Sequence, residues 1–453
     1  KRFVDVTTGC HTAPMRRALL VVTALALAAC GSDDQASEPT DAPAETEVPA
    51  DTEPPPDTEP PADTEPAATA PPETDATADT EPPGTEAPPP TEVISEPALA
   101  AFSPVGQGPY AVGVATITVT DDTRDRALPV DVWFPLADAP GDDTPRHRYT
   151  FVSGDYYESP RAFSADVGAA SADGPFPLVV YSHGSGAVRY VHSDYTETIA
   201  SHGHVVVAAE HLGNTAIERV TGAEVDGNQV AIDRPLDVQL LITALTDPAH
   251  PTAGVYAGLV DAERVAVTGH SVGGYTAYAA VSGIENDLGT VPADDRIDAI
   301  IPLAPAIGSG GSENTRLTDE RLASIEVPAL VMVGSDDVTT PVDPNVTRAW
   351  EVTRSVPQYR AELVAAEHQS FTDACDYLEA LPTNDPPPTE LVAQVVEALA
   401  AEGCSPDDMP IERVKEITNT LAIAFLDSVF RGGEMITPDN TAIPDDFVYQ
   451  VKS

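Results

Sequence analysis

Basic residues are scarce in this sequence: 23 Lys and Arg stand against 73 Asp and Glu among 453 residues, for a formal net charge of −50. A chain so acidic repels nucleic acid and anionic membrane surfaces, which excludes both as partners recognised by charge. Between residues 31 and 97 there is no Lys or Arg at all, while 19 acidic residues and 17 of the 45 prolines fall there, in near-copies of "DTEPP". Such a stretch has too little apolar surface to offset its ordering entropy and reads as a disordered linker. If extended at ~3.1 Å per residue, it reaches on the order of 100 to 200 Å. Cysteine is also sparse, at four residues, which excludes a disulfide-dense scaffold. Long hydrophobic runs are missing too: the apolar stretch Ala18 to Ala26 is too short and wrongly flanked for a stable transmembrane span.

That stretch has another reading. In "MRRALLVVTALALAACGSDD", Arg16 and Arg17 form a positive n-region ahead of the apolar segment, the pattern of an export signal. Leu27-Ala28-Ala29-Cys30 resembles the lipobox of bacterial lipoprotein signal peptides, which implies lipidation of Cys30 and a membrane anchor there. The alternative is an ordinary secretory signal cut near Ala29; export follows either way, to the cell surface or the periplasmic face of a bacterial membrane. Residues 1–14 precede Met15 and read as upstream read-through, 15–30 as the signal peptide, 31–97 as the linker and 98–453 as the folded domain. The linker carries −19 and residues 1–30 carry +3, leaving −34 for the domain. With Cys10 upstream of the start and Cys30 taken by lipid, Cys375 and Cys404 remain, and an exported domain is expected to pair them; two free buried thiols are the alternative. Closing a loop of about 30 residues is worth ~3 to 4 kcal/mol in the chain-entropy model.

From Phe102 onward, short apolar runs alternate with helical patterns. "YAVGVATITVT" and "LPVDVWFP" alternate with period two and read as an antiparallel pair. "FPLVVYSHG", "GHVVVAAEH", "RVAVTGHS", "IDAIIPLAP", "VPALVMVGSDD" and "YRAELVAAEH" are continuously apolar, as parallel strands covered on both faces must be. Helices are predicted over 192–202, 231–247, 273–283 and 343–354, and over "IERVKEITNTLAIAFLDSVF". The pattern is that of a doubly wound α/β domain, a mostly parallel central sheet with helices on both faces and its site at the carboxyl ends of the strands. Segments 136–175 and 376–410 are expected to be excursions over the surface.

One of those strand ends carries chemistry. "RVAVTGHSVGGYTAYAA" breaks from an apolar run into Gly269-His270-Ser271-Val272-Gly273 and then into a helix. A serine between two glycines, squeezed into a strand-to-helix turn, is a nucleophile elbow, and the helix beginning at Val272 aims N–H groups at it. A hydroxyl needs a base, and the base a carboxylate to orient it. "GSDDVTTP" places Asp337 at a strand end with Gly-x-x-Asp-x-x-x-Pro spacing; Asp336 is the rival and reads as a solvated neighbour. "ELVAAEHQSF" places His368 after the last predicted strand. "HGSG" at 183–186 supplies a small-residue loop, so the N–H groups of Ser185 and Val272 are the candidate oxyanion donors. Losing one such donor typically costs about 2.7 to 4 kcal/mol of transition-state stabilisation.

With those motifs together, residues 105–430 resemble the α/β-hydrolase superfamily, and within it the platelet-activating-factor acetylhydrolase and predicted dienelactone hydrolase-like lineage. The resemblance implies a serine carboxylic-ester hydrolase that needs no metal, with Ser271 as nucleophile, His368 as base and Asp337 as orienter; the expected activity is hydrolysis of short or medium acyl esters through an acyl-enzyme, without a cofactor. True dienelactone hydrolases carry Cys where this chain has Ser271. Bacterial polyester hydrolases, a cutinase-like alternative, place an aromatic and a Met where Ser185 and Val272 stand here. A further alternative is a non-catalytic surface lipoprotein that uses the fold for binding, which predicts a degraded triad or oxyanion element. His202, His204 and His211 lie close in sequence but fall at a helix end, a strand start and beyond a strand end, too scattered for a metal site. "GSGGSEN" at 308–314 lacks the lysine of a phosphate loop.

Overall fold

Side chains alternate between two apolar layers along each central strand, and that alternation builds the sheet. In this computed structural model the described residues are 99–453 except 152, 253, 257 and 309–316. The expected read-through, signal peptide, Cys30 and linker lie outside them, as does most of the "GSGGSEN" run.

The strands in chain order are β1 (Ala100–Ala101), β2 (Val112–Asp121), β3 (Arg126–Pro135), β4 (Arg146–Thr150), β5 (Tyr156–Ser164), β6 (Phe176–Ser182), β7 (Val205–Ala209), β8 (Val260–His270), β9 (Ile284–Asn286), β10 (Gly289–Val291), β11 (Ala299–Leu303), β12 (Ala329–Gly334), β13 (Gln358–Leu363), β14 (Thr441–Ala442) and β15 (Phe447–Lys452). Eleven of them form one sheet in the order β15-β13-β12-β11-β8-β6-β7-β3-β2-β5-β4. The run from β13 to β7 is parallel throughout. At one end β15 is antiparallel to β13, and at the other β3 is antiparallel to β7 and pairs with β2 from Val112↔Pro135 to Asp121↔Arg126.

The helices are α1 (Ser193–Ser201), α2 (Ala216–Thr221), α3 (Gly227–Thr246), α4 (Val272–Ser282), α5 (Asp319–Leu322), α6 (Val342–Val352), α7 (Ala374–Ala380), α8 (Glu390–Ala400) and α9 (Ile411–Arg431). On one face of the sheet Val179, Tyr181, Val206, Ala208 and Ile301 pack with Tyr195 and Ile199 of α1 and with Ile417, Leu421 and Phe425 of α9. On the other, Leu178, Val180, Val205, Val207 and Ile300 pack with Val238, Leu241 and Ile242 of α3 and with Ala277 of α4. Both faces are therefore buried, which is why these strands read as unbroken apolar runs.

The structure differs from the sequence expectation in two places that bear on the site. Segment 136–175 is not only a surface excursion: β4 and β5 within it pair with each other, and β5 joins the sheet beside β2. Their period-two pattern is carried by tyrosines, with arginines and Glu158 on the exposed side, so apolar count alone missed it. β4 delivers Tyr149 to the core, where its hydroxyl accepts from Trp133 Nε1 at 2.7 Å and donates to Glu197 of α1 at 2.7 Å. Burial pushes Glu197 up to about 7, with Arg161 and the Tyr149 hydroxyl opposing. Second, α3 starts at Gly227 rather than 231, because the Asp226 side chain accepts from the N–H groups of Asn228 and Gln229 and caps the first turn. Segment 376–410 does leave the sheet, as the rest of α7, a short 3₁₀ turn and α8, and Cys375 and Cys404 at its base form a disulfide.

Candidate active site

β8 ends at His270 and α4 begins at Val272, so Ser271 turns the chain between them with φ 58° and ψ −117°. A left-handed backbone is unfavourable for a serine and persists only where neighbours hold it. Here three bonds do so: the Ser271 N–H donates to Leu303 O at 2.9 Å, and the Ser271 carbonyl accepts from Tyr275 and Ala306, each at 3.1 Å. The flanking glycines are required by close approach. A Cβ on Gly269 would lie 2.5 Å from Ser182 O, and one on Gly273 only 1.8 Å from the same atom. The end of β6, which leads into the Ser185 loop, is thereby pressed against the serine turn.

His368 opens a 3₁₀ turn shortly after β13, and Asp337 follows β12, so both project from adjacent parallel strands at their carboxyl ends. His368 Nδ1 lies 2.8 Å from Asp337 Oδ2 and 3.0 Å from Thr340 Oγ1. Asp337 accepts further from the Thr340 N–H at 2.6 Å and the Thr340 hydroxyl at 2.8 Å. Burial pushes the Asp337 carboxyl up, but the hydrogen bond and charge of His368 and the two Thr340 donors outweigh it, and the net direction is down. An ionised carboxylate there holds the His368 proton on Nδ1 and leaves Nε2 as the basic nitrogen. Asp336, the rival carboxylate, is exposed and takes the Ser335 hydroxyl at 2.7 Å instead.

His270, beside the serine, ties the two halves of the site together. Its Nε2 donates to His368 O at 3.0 Å, and the two rings sit 4.6 Å apart. Burial, reinforced by the neighbouring His368, pushes His270 well below the usual histidine range, so it stays neutral.

In the loop after β6, the Ser185 hydroxyl accepts from Asn214 Nδ2 at 3.0 Å and Arg219 Nη2 at 2.7 Å, while its backbone N–H has no acceptor among the described residues. The Val272 N–H belongs to the first turn of α4, where no intrahelical acceptor exists. These are two backbone donors with no acceptor among the described residues, one directly following Ser271 and one in the loop after β6.

Among solved structures, the chain is similar to the "Ferulic acid esterase from Streptomyces cinnamoneus", with a TM-score of 0.54 at 22% identity over 78% of this chain and 99% of that one. The chain has the α/β-hydrolase fold. The sequence model of the family "Platelet-activating factor acetylhydrolase, isoform II" matches residues 100–231 of this chain. "Platelet-activating factor acetylhydrolase" of Canis lupus familiaris is 25% identical over 258 residues, 44% of this chain and 58% of the relative's own length. The family match contains the Ser185 loop but stops before Ser271, Asp337 and His368, so the reading of those three rests on the geometry given above.

The three histidines considered for a metal go to separate protein partners. His202 Nε2 meets Gly106 O, His204 Nδ1 meets Ile199 O, and His211 is held between Ser182 Oγ and Asp237. Among the described residues no group of three or more His, Cys, Asp or Glu is arranged to hold a metal ion. Sequence reasoning missed His270, Thr340, Asn214 and Arg219. His270 and Thr340 lie inside motifs already singled out and could have been found there; the other two come from a loop and a short helix whose only signal was nearness to β7.

Proposed function

We propose that this chain is an exported serine carboxylic-ester hydrolase acting on short or medium acyl esters through an acyl-enzyme. The observation that carries the reading is the 2.8 Å bond between His368 Nδ1 and Asp337, joined to the serine turn between β8 and α4 by the bond from His270 Nε2 to His368 O. In the first half-reaction His368 Nε2 takes the Ser271 proton as Oγ attacks the ester carbonyl carbon. The N–H groups of Ser185 and Val272 hold the oxyanion, and the alcohol leaves with the proton from His368. Water then attacks the acyl-enzyme by the same route, releasing the acid and restoring Ser271. Similarity to proteins named as an acetylhydrolase and a ferulic acid esterase supports ester chemistry. Export and lipid attachment at Cys30 are supported by the signal-like segment 15–30, and export also by the disulfide, a bond of oxidising compartments.

The test is hydrolysis of a p-nitrophenyl ester together with labelling by a fluorophosphonate probe. The wild-type chain is expected to turn over and to gain one covalent adduct at Ser271, and Ser271→Ala to do neither. A wild-type chain that takes no adduct would favour a non-catalytic binding role, and a Ser271→Ala chain with full activity would place the nucleophile elsewhere.

A further inference from the structure

Arg234 is 1% exposed, in the second turn of α3, and all five of its N–H groups are matched to uncharged acceptors. Nε and Nη2 donate to Asn214 Oδ1 at 3.0 and 2.6 Å, Nη1 donates to His183 O at 2.5 Å and Ser182 Oγ at 3.4 Å, and Nη2 donates to Gly184 O at 3.1 Å. Among the described residues no carboxylate lies in ion-pair contact with it. A buried guanidinium with no carboxylate in direct contact is costly to keep, and this one donates to two consecutive carbonyls of the loop that leads from β6 to Ser185.

The peptide between Gly184 and Ser185 is trans, so its carbonyl and its N–H point in opposite directions. Arg234 pulls on the carbonyl. His183 adds a second donor: its Nε2 accepts the His211 N–H at 3.1 Å, which leaves the proton on Nδ1, 2.7 Å from the same Gly184 O. With that oxygen fixed from one side, the Ser185 N–H is turned to the other. Gly184 itself abuts the serine turn, since a Cβ on it would lie 3.6 Å from Ser271 Cβ and 3.2 Å from His270 Nδ1.

We propose that Arg234 is a positioning residue for the oxyanion hole: its planar fork fixes the Gly184–Ser185 peptide so that the Ser185 N–H faces the tetrahedral intermediate, and its charge favours the developing anion from behind. This inference rests on the esterase reading. Burial lowers the Arg234 guanidinium to about 9, with Asp237 opposing, so it is charged at neutral pH. A lysine at the same place keeps the charge but presents no planar fork, and cannot hold the His183 and Gly184 carbonyls and Asn214 together.

The test compares full-length wild type, Arg234→Lys and Asn214→Ser, the last removing the acceptor of two of the five N–H groups. Each is assayed on p-nitrophenyl acetate and titrated with two inhibitors: a trifluoromethyl ketone, which forms an oxyanion hemiketal with Ser271, and an unreactive amide isostere of the substrate. Arg234→Lys is expected to lose on the order of a hundredfold in kcat, the effect of a lost oxyanion donor, with KM within about threefold. The ketone Ki is expected to rise by the same factor as kcat falls, while the amide Ki stays level. Asn214→Ser is expected to show the same split at about a tenfold loss. A folded Arg234→Lys with kcat within threefold of wild type would overturn the role, and so would parallel changes in both Ki values or failure of both variants to fold. A wild type that neither hydrolyses the ester nor binds the ketone would instead overturn the esterase reading.

Discussion

Replacing Gly273 with alanine adds a single methyl group at the tightest contact in the site. The new Cβ would lie 1.8 Å from Ser182 O and 2.6 Å from Ser182 C, against a floor near 3.0 Å that real Cβ atoms respect. Both obstructing atoms are backbone, so no side chain can rotate away. The first turn of α4 and the end of β6 must separate by about 1.2 Å, and each carries one of the two proposed oxyanion donors, Val272 on α4 and Ser185 beyond β6. A misplacement of about 1 Å costs roughly a hundredfold in rate, and overpacking a buried contact costs about 1 to 3 kcal/mol of stability. Gly273→Ala is therefore expected to lower kcat on p-nitrophenyl acetate on the order of a hundredfold and to lower the Tm by several degrees in differential scanning calorimetry. Because Ser271 keeps its three backbone bonds, slow labelling by a fluorophosphonate should persist. A Gly273→Ala chain with wild-type kcat and wild-type Tm would refute the close approach of strand and helix on which the whole site depends.

Other outcomes follow from the same geometry. In Asp337→Asn, the amide can face His368 Nδ1 with an N–H, which drives the imidazole proton to Nε2 and removes the base; kcat is expected to fall on the order of ten-thousandfold, with folding retained by circular dichroism. Glu197, raised by burial from 4.5 to about 7, keeps in the folded state a proton that the unfolded chain has lost. Its contribution to stability therefore falls as pH climbs from about 4.5 to about 7, by on the order of 3 kcal/mol. Glu197→Gln keeps an acceptor for Tyr149 without that titration, so its stability relative to wild type should improve from pH 4.5 to pH 8 in urea melts; a pH-independent difference would count against the assignment. Removing the disulfide by a Cys375→Ala, Cys404→Ala double change should cost about 3 kcal/mol, read as a lower urea midpoint. It should also lower kcat severalfold, because Glu402 beside it accepts the Gln369 N–H at 2.9 Å just after His368.

How much of this was legible in the sequence depended on where each signal lay. The parallel strands were readable because both faces are covered, and Val179 and Val180 must be apolar for opposite layers. Asp337 could be chosen over Asp336 from spacing alone, since only one register from Gly334 to Pro341 sets a carboxylate at the strand end. β4 and β5 were hidden because an edge pairing satisfies its exposed side with Arg148 and Glu158, leaving Tyr149 and Tyr157 as the inward beat and only Ala162 and Phe163 as aliphatic or plainly apolar residues buried near the end of β5. Arg234 was hidden for a different reason. In "AIDRPLDVQL" it looks like a charged residue on a helix face, and its purpose lies in carbonyls about 50 residues earlier in the chain that only the folded sheet brings within reach.

The three bonds that hold Ser271 in its left-handed turn all run through backbone atoms: its own N–H and carbonyl, with Leu303, Tyr275 and Ala306. None uses the hydroxyl. The conformation therefore belongs to the position rather than to serine, and the reacting atom is interchangeable. Ser271→Cys is expected to keep the same turn, offering a thiolate where the chain now offers an alcohol and a slower-hydrolysing thioester in place of the oxygen ester. That makes the scaffold a ready holder for trapping its own acyl-enzyme, and so for reading the acyl group of an unknown substrate directly by mass.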